Sequence, residues 1–251
     1  KQGQFFFFFI AIGALNVPYL GDILMAGVSQ LGQTAVLAQY NQEGALLPTV
    51  YANTPVVEGG DILPLSTFVR FVTQFADQTK TTYTWPEFGV DATDQFVAEK
   101  LAMYIGYSGE LNILRARNPK AEFEMTYIPQ ARGNNTFATG ARMYGIATLK
   151  ASKNPVASLT VQSQFAGGGI SPSIAQIVGG VPALRSYATT QGLPDVISRS
   201  MLVAHGWYDS FPKQSPTLVA NMLSDILHNR YDVTDAVAIF VSRLQDLYTP
   251  I

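Results

Sequence analysis

Ser108 stands in a segment that approaches the motif of a hydrolase. Residues 106–109 (GYSG) follow an apolar run, and a serine in a tight turn between a strand and a helix is the nucleophile of α/β-hydrolases. That motif requires glycine two residues after the serine, and Glu110 occupies this position. The chain offers two histidines as a general base, His205 and His228. A serine hydrolase is therefore a weakly supported hypothesis.

His205 and Asp209 are four residues apart in the segment HGWYD, a spacing that suits an acid–base pair or half of a metal site. No second histidine lies nearby, and the chain contains neither an HExxH motif nor a calcium-binding loop. The chain also has no cysteine, which excludes disulfides and thiolate metal sites. We predict no metal and no cofactor, and we interpret His205 as part of a helix end that stops at Gly206.

Trp207 and Tyr208 form an aromatic pair in the loop that follows Gly206. Two adjacent large aromatic side chains are costly to expose unless they bind a partner. Flat aromatic faces stack on the apolar faces of sugar rings, while carboxylates accept hydrogen bonds from the hydroxyls. Packing of both rings into the core is an equally good interpretation, and the pattern alone does not separate the two.

The composition is that of a globular protein. Apolar residues make up 47% and charged residues 14% of the 251 positions, which is enough to bury a core and too apolar for a disordered chain. The net charge is −2, and the Lys and Arg residues are scattered along the chain. A nucleic-acid-binding protein would carry a basic face, so we exclude nucleic acid as a partner.

The N-terminal region raises the question of a membrane span. Residues 5–28 are strongly apolar and begin with five consecutive phenylalanines. Asn16, Pro18 and Asp22 interrupt this stretch, which favours a buried strand, a turn and a core helix over a membrane span. Because it shows neither a basic region nor a small-residue cleavage site, we do not interpret it as an intact signal peptide.

Helix signals are frequent along the chain. Leu65, Phe68 and Val72 fall on one stripe, which predicts an amphipathic helix over residues 65–78. Capping residues and Pro at the first helical position predict the remaining helices. These helices are expected at 21–31, from Asp91 or Asp94 to Lys100, after Asn154-Pro155, after Ser171-Pro172, at 215–230, and at 234–248 with Thr234 as the cap.

Three segments are predicted as strands. Residues 101–106 are nearly all apolar, as in a strand covered on both faces, residues 122–128 alternate between apolar and polar, and residues 142–150 are a third candidate. Helices that alternate with short strands predict an α/β fold. Residues 33–64 are expected to form a hairpin or a long surface excursion, and the polar, turn-rich segment 131–140 a hinge.

Several segments, in a shared order, resemble the extracellular solute-binding proteins of bacterial ABC importers, family 1, which are carbohydrate-type and maltose-binding-protein-like. The resemblance begins near Val17 and is strongest between Phe96 and Gln130. The segments that carry it are YTW (83–85), KLAMYIGYS (100–108), NPKAEFEMTYIPQ (118–130), MYGIA (143–147), KASKNP (150–155), PALRS (182–186), the aromatic segment 204–212 and the terminal helix segment 231–247.

The resemblance implies a fold and a division into lobes. We expect a periplasmic-binding-protein-like α/β fold of two lobes joined by a hinge (type II-like), here as an incomplete chain that lacks its N-terminal portion. Residues 1–133 would be part of the C-lobe, residues 134–180 part of the N-lobe, and residues 181–251 the helices that return to the C-lobe.

The resemblance also implies a non-enzymatic function. The protein would bind a carbohydrate in an interlobe cleft, close on it, and deliver it to ABC permease subunits in the membrane. It would be extracellular, at the cell surface, or periplasmic, and membrane-associated through a lipid anchor outside this chain. The residues expected to contact the ligand are Tyr107, Tyr144, Trp207, Tyr208 and Trp85, with Glu110 and Asp209 as hydroxyl acceptors.

Two alternatives to transport stay open at this point. One is a surface or assembly protein that retains the solute-binding fold without transport, because a fold alone does not establish a function. The other, with less support, is a serine hydrolase that uses Ser108 with His205.

Overall fold

The computed structural model describes residues 11–12, 16–86, 90–133, 136–167, 169–177, 179–188 and 195–249. It is a mixture of helix and sheet, with 43% helix, 7% strand and small sheets. The chain divides into two compact units. Unit 1 comprises residues 1–106, 128–140 and 205–251, and unit 2 comprises residues 107–127 and 141–204. The strand expected at the phenylalanine run lies outside the described residues. The lobe assignment drawn from the resemblance uses other boundaries and stays a prediction.

The described helices account for most of the regular structure. In chain order they are α1 (Leu20–Gln30), α2 (Pro64–Thr73), α3 (Ala92–Val97), α4 (Leu111–Arg117), α5 (Pro155–Ala166), α6 (Ser171–Ile177), α7 (Arg185–Ala188), α8 (Asp195–Leu202), α9 (Ser215–Leu227) and α10 (Val233–Tyr248), with a 3-10 turn at Ser108–Glu110. The described strands are β1 (Val36–Tyr40), β2 (Leu46–Val50), β3 (Thr139–Gly140) and β4 (Ala204–His205). The strands form two two-stranded sheets, β1–β2 and β3–β4.

Unit 1 is built on the shared core of α1, α2, α9 and α10. Each helix contributes fully buried side chains to one apolar cluster, including Leu24, Val69, Leu223 and Phe240. Burying a side chain of this size contributes roughly 1.5–3 kcal/mol. Gly27 lets α1 approach α2 closely, because a Cβ at this position would overlap the ring of Phe68. The amphipathic stripes read from the sequence therefore meet in a single core.

The β1–β2 hairpin confirms the hairpin prediction for residues 33–64. The strands are antiparallel, with Val36 opposite Val50. The Asn41 side chain closes the turn by accepting the backbone N–H groups of residues 43 and 45. Gln245 of α10 accepts the Val50 N–H at 2.9 Å and donates to the Pro48 carbonyl at 3.2 Å. These bonds attach the hairpin to the helical core of unit 1.

The predicted helices are confirmed, with shifted ends. The last helix begins at Val233 and is capped by Asp232, whose carboxylate accepts the Asp235 N–H at 2.9 Å. The Thr234 cap is therefore wrong, because the aspartate two residues earlier takes that role. Asp91 caps α3 as one of the two predicted candidates. The helix predicted over 65–78 ends at Thr73.

The three predicted internal strands are wrong. Residues 101–106, 122–128 and 142–150 form no β-strand in the described chain, apart from an isolated bridge at Met103. Alternation reports which side chains could share a face, but a strand also needs a hydrogen-bonded neighbour. Residues 142–150 instead leave Met143 and Leu149 more than three-quarters exposed. The broad prediction of mixed helix and sheet holds, with the described strands at other positions in the chain.

The predicted hinge segment is tied to α1 by one buried side chain. Gln30 donates to the Pro129 carbonyl at 3.0 Å and to the Ala138 carbonyl at 3.2 Å. Its side-chain oxygen accepts the Ala131 N–H at 3.0 Å. A glutamine buried in a core is stable only when its amide is satisfied. The polar composition of the segment 131–140 predicts a linker, yet residues 128–140 belong to unit 1.

Unit 2 has few buried side chains among its described residues. Leu114 of α4 and Ala175 of α6 are buried, whereas α5 contributes none. Val156 of α5 and Ile177 of α6 are 76% and 84% exposed. Helices of this length gain most of their stability from packing. Since few described side chains of unit 2 are buried, burial stabilises unit 2 less than unit 1. None of the described helices is long and apolar enough to cross a membrane.

Truncating the core of unit 1 tests the packing described above. Leu244→Ala removes a fully buried side chain of α10 and is expected to lower the free energy of unfolding by about 2–5 kcal/mol. Arg243→Ala, on the exposed side of the same helix, is the matched control and should change it by less than about 0.5 kcal/mol. Urea unfolding followed by tryptophan fluorescence measures both, since Trp85 and Trp207 belong to unit 1. Equal effects of the two substitutions would contradict the packing.

Candidate functional site

The aromatic loop, residues 206–212, lies between β4 and α9 and holds three of the predicted ligand contacts. Its first aromatic residue, Trp207, donates its indole N–H to the Asp22 carboxylate at 2.9 Å. Asp22 belongs to the first turn of α1, and the Trp207 ring packs half-buried against the core of unit 1. This bond fixes one end of the loop to α1 and leaves part of the indole accessible.

Tyr208 is held by the last residue of α10. The Tyr248 hydroxyl donates to the Tyr208 carbonyl at 2.7 Å, and the two rings lie 6.0 Å apart at 31°. Phe211 packs edge-on against Tyr248 at 5.6 Å from the other end of the loop. The Tyr208 side chain remains 38% exposed. The loop therefore presents a tyrosine ring from a backbone that is fixed by a neighbouring helix.

Asp209 is engaged by the protein itself. One carboxylate oxygen accepts the Phe211 N–H at 2.9 Å, and the other accepts the Ser215 hydroxyl at 2.5 Å. These bonds close the loop and secure the start of α9. Each carboxylate oxygen can accept a second hydrogen bond, so Asp209 could also accept one from a ligand hydroxyl. In the structure, its hydrogen bonds shape the loop.

Trp85 lies in the second apolar cluster of unit 1, apart from the aromatic loop. Its side chain is 4% exposed and packs with Val17, Ile23 and Leu101. The indole N–H donates to the Asn16 side chain at 2.7 Å. In this structure the Trp85 ring is a packing element of the core. Its predicted contact with a ligand has no exposed ring face to support it.

The other predicted residues belong to unit 2. Glu110 accepts the Tyr107 N–H at 2.8 Å and so closes the 3-10 turn. The Arg142 guanidinium lies 5.2 Å from the centre of the Tyr107 ring, which is cation–π geometry. Tyr144 is 79% exposed. Unit 2 thus offers one fully presented ring, and a second ring with an arginine over it.

The residues proposed for hydrolysis are placed as follows. Ser108 is an exposed residue of the 3-10 turn, and unit 2, to which it belongs, contains no histidine. His205 is exposed in β4, and α8 ends at Leu202, so the helix end predicted at Gly206 is wrong. His228 ends α9, with its Nδ1 2.8 Å from the Ser224 carbonyl. Within the described residues no cluster of acidic side chains and histidines could hold a metal ion.

Asp22 and Tyr248 are the residues that sequence reasoning missed. Asp22 is an acidic residue in the first turn of a helix, a position favoured by the helix dipole alone, and its bond to Trp207 spans 185 positions. Tyr248 closes the apolar stripe of α10 and reads as a core residue. Such long-range contacts have no periodic signal, so only the fold reveals them.

Comparison with known proteins returned no match to a family model, a curated protein or a solved structure.

Burial dominates the electrostatics of Tyr248. It raises the pKa of the phenol to about 12 from an ordinary value of 10.0, and the negative charge of Asp209 adds to the effect. The neutral hydroxyl, which is the donor to Tyr208, therefore persists well above the pH at which an exposed tyrosine ionises.

The raised pKa of Tyr248 predicts a pH-dependent stability. Its contribution is intact below pH 10, where the unfolded phenol also keeps its proton, and is lost as the pH rises through about 12. Between pH 10 and 11 the loss amounts to roughly 1 kcal/mol of the free energy of unfolding. Urea unfolding of the wild type and of Tyr248→Phe at both pH values isolates this residue, because the other tyrosines are common to both proteins. An identical pH dependence in the two proteins would contradict the assignment.

Proposed function

We propose that this chain is the extracellular substrate-binding component of an ABC importer, and that its ligand is a carbohydrate. The structural observation that carries the proposal is the aromatic loop. Asp22, Tyr248 and Ser215 fix it at three points, and the Tyr208 ring stays exposed. An ordered aromatic surface binds without a further ordering cost, and aromatic faces with adjacent carboxylates suit sugar rings.

The proposal assigns roles to the side chains. In unit 1, Tyr208 and the accessible part of Trp207 stack on a sugar face, and Asp209 accepts a hydroxyl. The sequence resemblance also assigns ligand contacts to the rings of Tyr107 and Tyr144 and to the Glu110 carboxylate. The sequence resemblance supports the finer fold of two lobes with a hinge, in which ligand favours the closed state that a permease recognises. The same resemblance supports a position outside the cytoplasmic membrane, at the cell surface or in the periplasm, with a lipid anchor.

Thermal unfolding with added sugars tests the proposal. A carbohydrate present at 100 times its Kd should raise the free energy of unfolding by about 2.7 kcal/mol and the Tm with it. Tyr208→Ala should abolish the rise, whereas Tyr231→Ala, which removes another partly exposed tyrosine of unit 1, should preserve it. The panel would contain mono- and oligosaccharides of hexoses and pentoses. A flat Tm across the panel would reject carbohydrate binding.

The same panel separates binding from hydrolysis. Chromatography of sugars incubated with the protein detects turnover, and Ser108→Ala is the diagnostic variant. We expect intact sugar and unchanged binding in both proteins. Products that form with the wild type and disappear with Ser108→Ala would instead establish the hydrolase.

One observation favours the second candidate, a surface or assembly protein. Unit 2 exposes large apolar side chains on α5, α6 and the segment 142–150, and a protein that buries such side chains against a partner exposes them when it is alone. Size-exclusion chromatography coupled to light scattering measures the molar mass in solution. For an assembly protein this mass should rise with protein concentration. The binding component should remain near the monomer mass of 27.3 kDa at every concentration.

A further inference from the structure

We infer that Tyr248 is a positioning residue for carbohydrate binding, acting through the backbone of Tyr208, and that Asp22 plays the same part for Trp207. The inference rests on the proposed function and deepens it, because it names residues that touch no ligand and still set the affinity. It explains why two polar contacts from distant parts of the chain end on one short loop.

Tyr248 contacts the main chain of the aromatic loop through its hydroxyl. The hydroxyl donates to the Tyr208 carbonyl at 2.7 Å, a short and well-formed bond for an O–H donor. It therefore restrains the main chain at the residue whose ring is exposed. Tyr248 is itself 8% exposed at the end of α10 and belongs to the apolar cluster of unit 1, so the donor is a residue of the core.

The same phenol also packs against the loop. The Tyr248 ring contacts two of the loop's aromatic residues, with Tyr208 at 6.0 Å and Phe211 edge-on at 5.6 Å. Phenylalanine at position 248 would keep both ring contacts and remove only the donor. Tyr248→Phe is therefore the variant that separates the hydrogen bond from the packing.

Asp22 provides the second restraint on the loop. The Trp207 indole donates to the Asp22 carboxylate at 2.9 Å, so Trp207 and Tyr208 are restrained independently, one from α1 and the other from α10. Asp22→Asn retains an oxygen acceptor of the same shape, whereas Asp22→Ala removes it. Rescue by Asn would show that the hydrogen bond, and not the charge, sets the position of Trp207.

Calorimetric titration with maltotriose, cellotriose and xylotriose tests the inference. Loss of one restraint makes the ligand order the loop, and we expect Tyr248→Phe and Asp22→Ala each to raise the Kd about tenfold, with Asp22→Asn close to the wild type. Val69→Ala is the control, because it truncates a fully buried side chain of α2. It should lower the Tm and leave the Kd unchanged at a temperature where the protein is folded.

The outcomes separate the inference from the function beneath it. If the wild type binds a sugar and Tyr248→Phe binds it equally well, the positioning role is overturned and the carbohydrate function stands. If Val69→Ala weakens binding as much as Tyr248→Phe, the effect is one of general stability, and the positioning role is likewise overturned. If the wild type binds no sugar in the panel or among these three, the function and the inference fall together.

Discussion

The contact among α1, α2, α9 and α10 is the interaction on which the described structure of unit 1 depends. These helices bury their apolar stripes in one cluster, and burial of this kind supplies the main favourable free energy of folding. Polar side chains of these helices then hold the segments between them. Gln30 binds the predicted hinge segment, Gln245 binds the β1–β2 hairpin, and Tyr248 binds the aromatic loop. A rigid core thus gives order to segments that have little core of their own.

The same dependence explains the contrast between the units. In unit 1 the segments named above are hydrogen-bonded to side chains of packed helices, so the core fixes their conformations. In unit 2 the described helices α4, α6, α7 and α8 have eight residues or fewer, and the longer α5 has no buried residue. Local opening is easiest where few apolar contacts must be broken. Structural contacts therefore support ligand binding at the aromatic loop, whereas the roles proposed for Tyr107, Glu110 and Tyr144 come from the sequence resemblance.

Features with a local cause were predictable from the sequence, and features with a distant cause were not. The stripe of α2 and the Ser215-Pro216 start of α9 depend on neighbouring residues, so the helices were predicted. The cap of α10 was misplaced because Asp232 and Thr234 compete for it within one turn. The prediction of a strand at 142–150 was wrong because a strand needs a hydrogen-bonded partner elsewhere in the chain. The contacts of Asp22 and Tyr248 with the aromatic loop were not predicted for the same reason, because their partners lie far away in the sequence.

Iodide quenching of tryptophan fluorescence tests whether the aromatic loop is the surface that binds carbohydrate. Trp85 is almost fully buried and Trp207 is half-buried, so quenching of the native protein reports mainly on the aromatic loop. A saturating carbohydrate should shield Trp207 and lower the quenchable fraction of the fluorescence, with a midpoint equal to the calorimetric Kd. A sugar that binds and leaves the quenchable fraction unchanged would show that the aromatic loop is not the binding surface.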